Sequence, residues 1–99
     1  MGQVPTIGRI VHYQTDGRGG YRYTLPAVVV RTRSSTDPKA VEHAQVRELP
    51  DDTTVDLMVF SVDGESYGEK AVPFAEAIAK DAGRDEHGPA RTWRWPPRS

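Results

Sequence analysis

Leu57-Met58-Val59-Phe60-Ser61-Val62, followed at once by Asp63-Gly64, is the most apolar run in the chain. Six residues are too few for a helix that has to bury itself. An unbroken apolar run rich in β-formers and closed by a turn dipeptide reads as a strand buried on both faces. With its flanks it extends over Thr54 to Val62 as the central strand. Asp-Gly between two strand-like runs predicts a hairpin with a type I′ turn, which requires φ > 0 at both central residues. The returning strand is Glu65 to Val72, ended by Pro73, which has no N–H for a ladder.

Upstream, Tyr21 to Arg33 is the next strand region. Pro26 marks its start, an edge position or a bulge. Period-two geometry puts Val28 and Val30 on one face and Val29, Arg31 and Arg33 on the other. Ile7 to Tyr13 opens the fold as a strand, with Ile7, Arg9, Val11 and Tyr13 on one side and Gly8, Ile10 and His12 on the other. Gly8 suggests a bulge or a close backbone approach. Asp16-Gly17-Arg18-Gly19-Gly20 reads as a hairpin tip. Neither a helix start nor a P-loop lysine follows it, so it is no phosphate cradle. Ser34 to Pro38 is a loop by composition, Ala44 to Glu48 a short strand, and Pro50-Asp51-Asp52 a turn.

Downstream, Pro73 to Gly83 is the only stretch with helical character. It has proline at its start, alanines inside, a terminal glycine, and Phe74 and Ile78 as a narrow docking stripe. Arg84 to Pro89 is a polar connector. Both tryptophans fall in Arg91-Thr92-Trp93-Arg94-Trp95-Pro96-Pro97-Arg98-Ser99. In a strand they share a face, with Arg94 opposite. So much aromatic area is expected to return to the body and close the sheet. The fold expected is therefore mainly β: a small SH3-like barrel or a curved antiparallel sheet, with one short helix before the last strand. It forms one domain over residues 1–99, with 1–5 as an arm and 96–99 as a tail.

The chain has 99 residues, 36% of them hydrophobic and 27% charged, and a net charge of −1. That balance argues against bulk binding to nucleic acid or to anionic lipid. Without cysteine there is no disulfide, no thiolate catalysis and no cysteine-based zinc site. No apolar run approaches the ~20 residues of a membrane span. The N-terminus lacks the charged and apolar regions of a signal peptide, so the cytoplasm is the expected address.

His12, His43 and His87 have no metal-ligand spacing, and no metal or cofactor is expected. Asp51, Asp52 and Asp56 lie in or beside a turn, Glu65 follows a hairpin tip, and no serine sits in an elbow motif, so no enzyme chemistry is expected. What remains is a set of arginines and aromatics that can stack on bases and pair with phosphates: Arg9, Tyr13, Tyr23, Arg31, Arg33, Trp93, Arg94 and Trp95, with Tyr21 and Tyr67 beside them. The same residues anchor protein interfaces. The plainer reading makes the tryptophans core and the arginines surface. A barrel this small has no room for a large internal pocket. A ligand site is then expected in a rim groove or at a subunit junction of a homo-oligomer.

Gly8-Arg9-Ile10-Val11-His12-Tyr13 and Thr92-Trp93-Arg94-Trp95-Pro96 resemble the two ends of a group of small actinobacteriophage and prophage proteins. Their Ala-Val-Val strand and Leu-X-Val hairpin are matched by Ala27 to Val29 and Leu57 to Val59. The Ala-rich segment Ala75 to Ala82 is longer than the turn usual there, and Arg91 stands where a glycine is usual. The resemblance implies a phage or prophage origin and supplies no catalytic residues. Together these readings point to a non-catalytic phage accessory protein that binds a host component, such as a signalling nucleotide of antiviral defence. The alternatives are a virion protein (capsid decoration or head–tail connector) and a nucleic-acid- or protein-binding module.

Overall fold

A computed structural model describes residues 4–15, 23–78 and 90–97. Its strands are β1 (Ile10–Gln14), β2 (Thr24–Arg31), β3 (Val55–Phe60), β4 (Ser66–Val72) and β5 (Thr92–Arg94). They form one antiparallel sheet in the order β4-β3-β2-β1-β5, with the short helices α1 (Pro38–Glu42) and α2 (Ala75–Ile78) outside it. The sheet curls into a half-barrel, so the chain just past β4 meets β5. There the Trp93 N–H donates to the Pro73 carbonyl at 3.1 Å, and Phe74 and Trp93 make a single parallel bridge. The mainly β fold is as the sequence predicts, and so is the returning tryptophan tail.

The central strand departs from expectation. Val55, Leu57 and Val59 are buried, but Met58 and Phe60 are 36% and 44% exposed and Val62 lies beyond the strand in the open. β3 is therefore buried on one face, not two. The reason is the curl: a sheet rolled on itself has one inside, and nothing among the described residues covers its convex side. Inside lie Val11 and Tyr13 of β1, Leu25, Ala27 and Val29 of β2, Val72 of β4 and Trp93 of β5. Burying a side chain such as Leu57 contributes about 2–3 kcal/mol.

Two β-bulges produce the curl, and both face Asp56. Val29 pairs with Leu57 and Arg31 with Asp56, leaving Val30 as an extra residue on β2. On the other side Val55 pairs with Val72 and Leu57 with Glu69, so β4 carries an extra residue as well. Bulges bend a strand and sharpen its twist. Asp56 holds both: one carboxylate oxygen accepts from Arg31 Nε at 2.6 Å, the other from the Ala71 N–H at 2.8 Å. Ala71 itself has φ 53°, a conformation costly for a residue with a Cβ. The β2 bulge also overturns the simple alternation that placed Val29 and Arg31 on one face.

The hairpin after β3 forms at Asp63-Gly64, but not as a type I′ turn. Only Gly64 has positive φ. Its N–H bonds the Ser61 carbonyl at 3.1 Å, and the Ser61 N–H bonds Glu65 at 2.8 Å. That is a three-residue loop, a type I turn completed by a left-handed glycine. The Asp63 carboxylate accepts from the Glu65 N–H at 3.0 Å, so Asp63 serves as an Asx cap instead of taking positive φ.

The strand expected over Ala44 to Glu48 does not form. α1 precedes it, a second helix where only one was expected. Asp37 caps it, accepting from the Lys39 N–H at 2.9 Å, and Pro38 stands at its start. It ends in a Schellman turn: Gln45 N–H to Ala40 O at 2.8 Å and Ala44 N–H to Val41 O at 3.0 Å, with Ala44 at φ 58°.

Elsewhere the strands are shorter than expected. β1 begins at Ile10 because Gly8, at φ 88°, turns the chain there; a Cβ on it would meet nothing, so conformation and not close approach calls for glycine. Pro26 lies within β2 opposite His12. The Val29–Arg9 and Gly8–Val29 bonds turn the odd residues of β2 toward β1. The missing N–H of Pro26 thus points toward β3, one residue past the end of their ladder at Ala27. Phe74, just before α2, and Ala75 within it dock, but Ile78 is 58% exposed, so the expected two-residue stripe is half used. The expected Asp16–Gly20 tip, Tyr21, the part of the expected Pro73–Gly83 helix past Ile78 and the expected Arg84–Pro89 connector lie outside the described residues.

Candidate binding site

β5 pairs with β1 through His12–Arg94 and Tyr13–Trp93, so Trp93 faces inward and Trp95, two residues on, follows it at the rim. Trp93 is fully buried, and its indole N–H donates to the Thr53 carbonyl at 2.7 Å. The turn that presents this carbonyl is held by Asp51, whose Oδ1 accepts from the N–H groups of Thr53 and Thr54. Hydrogen bonding from the Thr54 side chain first, then from the backbone and side chain of Thr53 and the backbone of Thr54, holds the Asp51 carboxyl below its ordinary range.

From Trp93 an aromatic stack runs outward. Phe74 is tilted against it at 4.5 Å between centroids, and the half-buried Trp95 meets it edge-on at 5.0 Å. The guanidinium of Arg9 lies over the Trp95 ring, 5.4 Å from its centroid. Arg9 is exposed, and its backbone is fixed by the Val29 N–H at 3.0 Å. Among the described residues its guanidinium has no hydrogen-bond or ionic partner. The result is a rigid aromatic ledge carrying one available cation.

The rest of the arginine–aromatic set is dispersed. Tyr13 is core, and burial, followed by the nearby Glu69 and Tyr67, pushes its hydroxyl up to about 12 against the opposing pull of Arg91. Arg31 is committed to Asp56 and, through Nη1, to Thr36 Oγ1 at 2.9 Å. Tyr23 is exposed at the far end of β2, where its N–H reaches Thr15. Arg94 is on the convex side with His12, whose imidazole is held below its ordinary pKa by burial and then by that arginine. Arg33 lies past β2, on a separate pocket. So of the eight residues Arg9, Trp93 and Trp95 come together, while Tyr13, Tyr23, Arg31, Arg33 and Arg94 do not join them in one surface.

That pocket was not legible beforehand. It has a volume of about 390 Å³ and is lined by Arg33, Thr36, Pro38, Val41, Glu42, Glu48 and Leu49. Of its lining, Leu49 is buried, while Arg33, Glu42 and Glu48 are exposed. One wall is fixed by Thr36, which donates to the Thr32 carbonyl at 2.7 Å and accepts from Arg31; the other is α1 with its Schellman turn. The Asp37-Pro38 pair is the signal that would have found that helix, and with it the pocket.

Among the described residues no three His, Cys, Asp or Glu side chains converge as a metal site, and no helix is long and apolar enough to cross a membrane. Compared with protein-family models, with curated proteins and with solved structures, the chain matches none.

Proposed function

We propose that this chain is a non-catalytic binding protein of phage or prophage origin. Its ligand is a small planar anion, a nucleotide withdrawn from host signalling, held on the Arg9–Trp95 ledge. One observation carries the reading: an exposed arginine over a half-buried tryptophan that is itself braced by Trp93 and Phe74. A base stacks on such a ring and a phosphate pairs with such a cation, and neither group has to be ordered first. The test is calorimetry of the purified chain against cyclic and ADP-ribose-type nucleotides. Arg9→Ala and Trp95→Ala should each weaken binding about tenfold or more. Absence of heat with every nucleotide in the panel would remove this reading.

A second reading, a subunit of a homo-oligomer or of the virion, is favoured by the convex face of the sheet. Ile10, Val28 and Met58 lie opposite one another across β1, β2 and β3, and Val30 and Phe60 are exposed in the same strands. A row of this kind suits packing against another protein. Mass spectrometry of purified particles and the mass of the free chain in solution decide it. A monomer absent from particles ends it.

A further inference from the structure

We propose that the pocket between α1 and Glu48–Leu49 binds a small amino acid with one carboxylate and two cationic nitrogens, of the lysine and arginine kind. The site is distinct from the ledge and does not depend on what the ledge binds.

The ionic side chains that line the pocket are one guanidinium, Arg33, and two carboxylates, Glu42 and Glu48. None of the three has a hydrogen-bond or ionic partner among the described residues, so each keeps its full capacity for a ligand. A phosphate is disfavoured by the two carboxylates. A plain diamine satisfies those but leaves Arg33 facing two more cations. An α-amino acid with a basic side chain inverts the set: its carboxylate meets Arg33 in the planar two-point geometry that guanidinium favours, and its two cationic groups meet Glu42 and Glu48.

The apolar part of the lining fits the same class. Pro38, Val41 and the buried Leu49 form a surface along which the methylene chain of such a ligand can lie. The volume, about 390 Å³, is at the small end of ligand pockets and suits a single amino acid. The walls are already in place. Asp56 fixes Arg31, Arg31 fixes Thr36, and Asp37 and the Schellman turn fix the two ends of α1. Binding therefore orders little of the protein.

The test is an amide-resonance titration of the isotope-labelled full chain with L-lysine and L-arginine. Saturable shifts are expected at Arg33, Val41, Glu42, Glu48 and Leu49. Norleucine, which lacks the second cation, and cadaverine, which lacks the carboxylate, should each bind about tenfold more weakly or worse. Arg33→Ala should remove the preference for lysine over cadaverine. Glu42→Gln and Glu48→Gln together should remove the preference for lysine over norleucine. All three side chains are exposed and without a hydrogen-bond or ionic partner among the described residues, so unchanged melting temperatures are expected and separate lost binding from lost folding. No shifts at millimolar lysine or arginine, shifts centred on Trp95 instead, or equal binding of lysine and cadaverine would overturn the proposal.

Discussion

The two faces of one strand make the most instructive contrast in this molecule. Along β3, Val55, Leu57 and Val59 lie inside the half-barrel, while Met58 and Phe60, as apolar as their neighbours, lie outside it. Hydrophobicity alone does not decide which of them builds the core. The curl of the sheet does, and the curl depends on a polar residue between them, Asp56.

The largest predicted effect tests that contrast directly. Leu57→Ala should cost about 3–4 kcal/mol, through lost burial and the cavity left behind, whereas Met58→Ala should cost less than about 1 kcal/mol. Equal losses in chemical denaturation would mean that the convex face is covered in solution. Next comes Asp56→Ala, expected to cost about 2–3 kcal/mol. It leaves Arg31, 16% exposed, without its carboxylate and the Ala71 N–H without its acceptor.

A smaller effect is set by pH. The Tyr13 hydroxyl is pushed up to about 12 from an ordinary value of 10.0, so the fold favours its neutral form. This contribution is fully present below pH 10 and is lost as pH rises toward 12. The loss should reach about 2 kcal/mol, and Tyr13→Phe should abolish that part of the alkaline slope in denaturant midpoints. Smallest is Ala44→Gly. With Ala44 at φ 58° in the Schellman turn, glycine should raise stability by about 0.5–1 kcal/mol, read as a higher melting temperature.

Much of the inner face could be read beforehand, because alternation and turn chemistry are local. The hairpin at Asp63-Gly64 and the return of Trp93 and Trp95 followed from such signals. The bulges were not legible, since an extra residue at Val30 shows only against the register of a neighbouring strand. For that reason Arg31, which the sequence offers as a ligand group, turns out to be engaged by Asp56. α1 is not legible in the sequence because it is five residues long and its turn uses alanine where glycine is the usual marker. Nor is the pocket, since its charges come from three separated segments.

Asp56 touches both neighbouring strands at the position where each is kinked, so each kink is secured only once its own strand, β2 or β4, has docked on β3. Before then the three strands can pair as a flatter ribbon with no enclosed side. Closure at Trp93 is then expected to follow that assembly, which φ-values lower at Trp93 than at Asp56 would check.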